Sequence, residues 1–156
     1  MRVAICAVGR MRSGPERDLV DDYLSRFART GRRLGLGPAA VHEIDDRKGG
    51  GPAAEAVLLG RAVPPGAAVV ALDERGRMLD SAAFAALLAR WRDSGRTDLA
   101  FVIGGADGLD PALRAGAEEV LSLGPMVWPH MLARVMLAEQ LYRAATILAG
   151  LPYHRA

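Results

Sequence analysis

The chain is poor in cysteine and histidine and has no long uninterrupted apolar run. Cys6 is its only cysteine, so no internal disulfide can form, which suits a reducing compartment. Its place inside an apolar run marks it as a small buried hydrophobe. The three histidines, His42, His130 and His154, are too far apart for zinc-ligand spacing, and no metal is expected. No apolar run approaches the roughly 20 residues of a membrane helix. Residues 1–8 are too short for a secretory signal core and are followed at once by Gly9-Arg-Met-Arg12. We therefore expect a cytoplasmic protein with no membrane partner. Charge of one sign is also scarce. The net charge of +2 is too small to demand a nucleic-acid partner, but its distribution says more. After Glu119 the only acid is Glu139, against Arg134, Arg143 and Arg155 with His130 and His154. Those groups predict either a basic patch for phosphates or a chance asymmetry on a solvated helix.

What is present reads as one domain, residues 1–156. At that length, with 51% apolar and 24% charged residues, the chain can bury a substantial core. Strand and helix patterns alternate. Residues 3–8, 39–44, 67–72, 99–103 and 119–123 read as strands. A helix begins at Pro15 with acids in its first turn, and Leu19, Val20, Tyr23, Leu24 and Phe27 form its apolar face. Residues 54–62, a segment capped by Asp80 or Ser81, residues 111–117 and residues 129–149 read as further helices. This order predicts βαβ units and an α/β fold with a mostly parallel sheet flanked by helices. The glycine-rich residues 47–52 are expected to be a flexible lid or a plain surface loop.

Ligands in open α/β sheets bind beyond the carboxyl ends of the strands. Three such ends are rich in glycine or turn residues: Leu72-Asp-Glu-Arg-Gly76, Gly104-Gly-Ala-Asp-Gly108 and Leu123-Gly-Pro-Met-Val-Trp128. Gly9 and Gly14 have the spacing of a phosphate loop, but Pro15-Glu16 replaces its Lys-Ser/Thr. The double glycine is likewise not a dinucleotide fingerprint. Met126, Val127 and Trp128 suit an adenine ring and a thioether, or else belong to the core. Asp73 and Asp107 are accounted for by turn formation. His130, in the first turn of the last helix, fits a structural role near this loop more readily than a catalytic one. Glu139 and Arg143 have the i, i+4 spacing of an exposed helical pair. The aromatic-basic tip Tyr153-His154-Arg155 is unusual for a chain terminus.

These motifs carry a resemblance. The stretch Ile103-Gly-Gly-Ala-Asp-Gly-Leu109, residues 121–155 and the opening Val3-Ala-Ile-Cys-Ala-Val-Gly9 resemble the SPOUT-class methyltransferases that act on a pseudouridine of bacterial 23S ribosomal RNA. The likeness covers residues 1–155. It implies a C-terminal trefoil knot, a homodimer, and S-adenosylmethionine held by Leu72, Gly104, Leu123, Gly124, Pro125, Met126, Val127 and Trp128. The implied substrate is N3 of a pseudouridine in helix 69 of 23S rRNA within the ribosome, with no DNA partner. In that setting His154 is the candidate base by residue type. Arg143 and Arg155 are candidates to stabilise an imidate or hold phosphate, and Tyr153 to stack on the flipped base. Two other classes compete: a non-catalytic ribosome- or RNA-binding module that kept the fold, and a flavodoxin-like nucleotide-binding protein. The intact glycine loop and C-terminal tip weigh against the first, and the missing phosphate loop against the second.

Overall fold

Alternating apolar runs and amphipathic stretches fold into a three-layer α/β arrangement in this computed structural model, which describes residues 1–45 and 50–155. The strands are β1 (Arg2–Val8), β2 (Ala39–Ile44), β3 (Ala68–Met78), β4 (Asp98–Ile103) and β5 (Glu119–Ser122). They form one sheet in the order β2-β1-β4-β3-β5, with every adjacent pair parallel. The central strands β1 and β4 are buried almost throughout, as expected of strands covered on both faces. Edge strand β2 alternates between partly covered and exposed positions over most of its length.

The period-2 geometry of a strand sorts β1 side chains to two cores. Val3, Ile5 and Ala7 pack with α1 (Pro15–Gly31), α3 (Ser81–Asp93) and α5 (His130–Leu148) through Phe27, Leu88 and Leu137. Ala4, Cys6 and Val8 pack on the other face with Leu59 of α2 (Gly51–Ala62) and Leu113 of α4 (Pro111–Ala115). Burial there pushes the Cys6 thiol up to about 11. Helix starts follow local chemistry: Asp80 accepts from the Ala83 N–H, and Asp110 from those of Ala112 and Leu113.

Three expectations need correction. The third strand does not end at Leu72 but runs to Met78, and residues 73–76 form a bulge between pairings of Leu72 and Arg77 with Leu121. A Cβ on Gly76 would lie 2.5 Å from the Leu121 carbonyl carbon, so only glycine lets β3 pass β5 there. Of residues 47–52, Gly51 and Pro52 open α2, and residues 47–49 lie outside the described part. Finally, α5 starts at His130, with Pro129 as its N-cap residue. A short 3₁₀ turn, Arg32–Leu34, was not anticipated.

The starts of β1 and β4 are tied by Arg2, whose Nε and Nη2 donate to the two Asp98 carboxylate oxygens at 2.8 Å each. That hydrogen bond, with the charge attraction of Arg2, holds the Asp98 carboxyl below its ordinary value. A depressed folded-state value means stabilisation that is present above the unfolded value near 4 and lost as pH falls through the folded one. Asp98→Asn is therefore expected to flatten part of the acid limb of a stability-pH profile measured by urea unfolding, and an unchanged profile would contradict this.

Candidate active site

The carboxyl ends of β3, β4 and β5 converge on two adjoining cavities. The smaller, of about 200 Å³, is walled by Leu72, the Gly104–Gly105 turn, Leu123, Gly124, residues 126–128 and His130. The turn is packed to the limit of backbone contact. A Cβ on Gly104 would come within 2.6 Å of Gly108 backbone atoms, and Gly108 itself sits at φ 79° with its N–H bonded to the Gly105 carbonyl. After β5, the Ser122 hydroxyl donates to the Gly124 carbonyl and accepts from the Gly124 N–H, and Gly124 turns the chain at φ 118°. The loop that follows is uncovered: Met126 is 68% exposed, Val127 87% and Trp128 39%. These side chains are a wall, not core. Among the described residues, the N–H groups of Met126, Val127 and Trp128 donate no hydrogen bond within the chain.

The larger cavity, of about 670 Å³, shares Leu72, Leu123 and Gly124 with the smaller one and is also lined by Tyr23, Glu139 and His154. The C-terminal tip thus folds back beside the strand-end loops. Glu139 holds it there. Its Oε1 accepts from Arg143 Nη2 at 2.6 Å, Arg143 Nε at 3.0 Å and the Tyr153 hydroxyl at 3.0 Å. Its Oε2 accepts from Gln140. The Arg143 guanidinium lies over the Tyr153 ring at 4.8 Å, and its Nη1 is 3.4 Å from His154 Nδ1. Tyr153 packs on Tyr142 with ring centroids 4.6 Å apart. Burial, followed by the hydrogen bond to Glu139, pushes the Tyr153 phenol above its ordinary range, so it stays a donor. The Glu139 hydrogen bond, ahead of the opposing effect of burial, raises Arg143.

Glu139 and Arg143 were expected to form an exposed pair, yet their side chains retain only 17% and 25% exposure. The carboxylate is a hub for three side chains, a role its i, i+4 spacing only hints at. The expected basic patch also changes. Arg134 is fully buried. Its Nη2 donates to the carbonyls of Val8 and Gly9, and its Nη1 is 3.3 Å from Glu43 Oε1. Arg143 is engaged by Glu139, leaving Arg155 as the exposed arginine of that expected set. His130 lines the smaller cavity from the first turn of α5. Asp73 is tied into its bulge by the Arg75 N–H and by Arg114 at 3.2 Å, in keeping with a structural role. Asp107 is exposed at the glycine turn.

Comparison with known proteins decides the class. A family described as "Predicted SPOUT methyltransferase" matches residues 1–154. The chain belongs to the SPOUT methyltransferase family. Among relatives of this SPOUT chain, the "Ribosomal RNA large subunit methyltransferase H" of Dinoroseobacter shibae is 72% identical over 155 residues, 99% of each chain. Proteins of that description from Roseobacter denitrificans and Ruegeria pomeroyi are 70% and 67% identical, again over 99% of each chain. A probable methylase family protein from Haemophilus influenzae shares the fold with TM-score 0.52, 13% identity, and coverage of 99% of this chain and 70% of its own. The chain is thus a methyltransferase, and the mostly parallel sheet flanked by helices is that of its family. No described helix is long and apolar enough to cross a membrane.

Proposed function

We propose that this SPOUT methyltransferase is cytoplasmic and transfers a methyl group from S-adenosylmethionine to N3 of a pseudouridine in helix 69 of 23S rRNA, on the assembled ribosome. The observation that carries the reading is the 72% identity, over 99% of both chains, to a relative described as a large-subunit rRNA methyltransferase. The site supports it: an uncovered apolar loop with undonated backbone N–H groups adjoins a cluster of aromatic and basic side chains.

The residues fit the methyl donor. Met126, Val127 and Trp128 offer apolar surface for an adenine ring and a thioether, and their N–H groups can read the ring edge. Gly104 presents backbone without a side chain, and Leu72 closes the wall. We expect Leu123, Gly124 and Pro125 to complete the cradle, with the loop threaded as the family's trefoil knot. When bound, S-adenosylmethionine supplies an electrophilic methyl sulfonium, so no covalent enzyme intermediate is required. What remains for the chain is to align the acceptor and take the imide proton.

The tip residues divide that work. Tyr153 stacks on the flipped base, and Arg143 with Arg155 steadies the imidate or its flanking phosphate. His154 takes the proton. A guanidinium only donates, so in its 3.4 Å contact with Arg143 Nη1 the Nδ1 atom is placed as an acceptor. A homodimer completes the reading. Leu19 and Met78 are exposed apolar side chains lining the larger cavity, and Leu132 is an exposed apolar side chain of α5; a second copy covers them. Light scattering at micromolar concentration is expected to find a dimer.

The test is methyl transfer from labelled S-adenosylmethionine to 70S ribosomes lacking the modification, with the labelled nucleotide mapped. Incorporation in helix 69 is the expected result. Cofactor binding without incorporation there would reject the substrate, and binding of neither would favour a non-catalytic module.

A further inference from the structure

Arg155 is the exposed arginine of the C-terminal set, but further exposed arginines lie outside that third of the chain. Between Asp22 and Glu43 the chain has no acid and four arginines, Arg26, Arg29, Arg32 and Arg33. Three of them, Arg26, Arg29 and Arg33, line one side of a groove of about 880 Å³ between the C-terminal ends of α1 and α5. Tyr142, Leu148 and Leu151 line the other side.

The arginines are not equivalent. Arg26 is 2.8 Å from Asp22 and lies over the Tyr23 and Tyr142 rings at 5.9 and 5.8 Å. It is fixed and partly neutralised. Arg29 and Arg33 are exposed and have no carboxylate partner among the described residues. Two like charges four residues apart repel; among the described residues no carboxylate pairs with either, and Asp22, which also lines the groove, is held by Arg26. An anionic partner would offset the repulsion. The groove also leads to the active site: its wall residue Tyr142 packs directly on Tyr153, which shares Glu139 with Arg143. A polyanionic chain whose reactive unit sits at Tyr153 and His154 has this groove as its adjacent basic path.

We propose that the α1–α5 groove binds the phosphodiester backbone flanking the modified nucleotide, with Arg29 and Arg33 as its phosphate contacts. This rests on the reading of the chain as an RNA methyltransferase. It adds a binding surface on a different part of the molecule from the cofactor loop.

Each phosphate contact contributes about 0.7–0.9 to the slope of log affinity against log salt. Arg29→Ala with Arg33→Ala is therefore expected to lower that slope by about 1.4–1.8 and weaken binding by about tenfold at moderate salt. The probe is a fluorescent helix 69 hairpin, titrated at several salt concentrations beside 70S methylation. Arg61→Ala, on α2 across the sheet, is the control for loss of one charge, compared with each single groove variant. Melting temperature and S-adenosylmethionine affinity report whether the variants keep the fold. Weakened binding and a shallower slope confined to the groove variants would support the proposal. Groove variants that bind like Arg61→Ala, while the wild-type chain methylates ribosomes, would overturn the groove alone. A wild-type chain that neither binds the hairpin nor methylates ribosomes would overturn both readings.

Discussion

Replacing Arg134 by alanine is expected to destabilise the fold by about 3–5 kcal/mol, the range for removing one partner of a buried ion pair. The side chain is 1% exposed and Glu43 17%. Loss of the guanidinium removes the donor it supplies to the Val8 and Gly9 carbonyls and the nearer of two cations facing Glu43, leaving Arg17 at 3.9 Å. Glu43 is not idle in compensation: its Oε1 accepts the Met11 N–H, so it must stay turned inward. Arg134→Met removes the charge while keeping length and apolar contact, and is expected to be milder than alanine but still destabilising. Adding Glu43→Gln to Arg134→Met should recover part of the loss, because the carboxylate otherwise keeps only the more distant Arg17, at 3.9 Å, as its cation. At this chain length each kcal/mol moves the melting temperature by roughly 2–4 °C, so calorimetry resolves all three variants. Arg134→Ala melting within a degree of wild type would show that the clamp contributes nothing. The loss also reaches the smaller cavity, since His130 and Ala133 line it from the same end of α5.

That clamp shows which parts of the molecule a reader of the sequence reaches. The five strands and the helices between them were legible because each declares itself locally, by an apolar run or an i, i+4 face. The Gly104-Gly105 turn was legible for the same reason, as glycines at a strand end. Arg134 was not. A charged residue on a helix reads as solvated surface, and its partners are 91, 125 and 126 positions away. The bulge at residues 73–76 was hidden likewise, because it exists only where β3 passes Leu121 of β5. Glu139 lies between these cases. Arg143 sits one turn along, in plain view, but Tyr153 is 14 residues away and reaches it only through the fold of the tip. The loop at Met126, Val127 and Trp128 left two readings open until their exposure separated wall from core.

The largest effect on turnover is expected at the tip. His154→Ala should lower methyl transfer by about 10²–10⁴-fold, the usual contribution of a positioned acid or base, while S-adenosylmethionine affinity holds. Arg143 already engages Nδ1, so two roles must be separated: accepting the imide proton, or merely bracing the guanidinium. His154→Gln separates them, because its amide oxygen can brace Arg143 but cannot take up a proton. Gln failing as badly as Ala supports proton transfer, and Gln restoring turnover would reduce His154 to a positioning residue. Glu139→Ala acts one step further back. It frees Arg143 and the Tyr153 hydroxyl together, and misplacement by about 1 Å costs on the order of 10²-fold, or about 2.7 kcal/mol of barrier. Glu139→Gln keeps an acceptor oxygen for both donors and should retain much of the lost rate. If Glu139→Ala turned over like wild type, the hub would be a packing feature of α5. In that case the RNA itself, not Glu139, would have to order the tip.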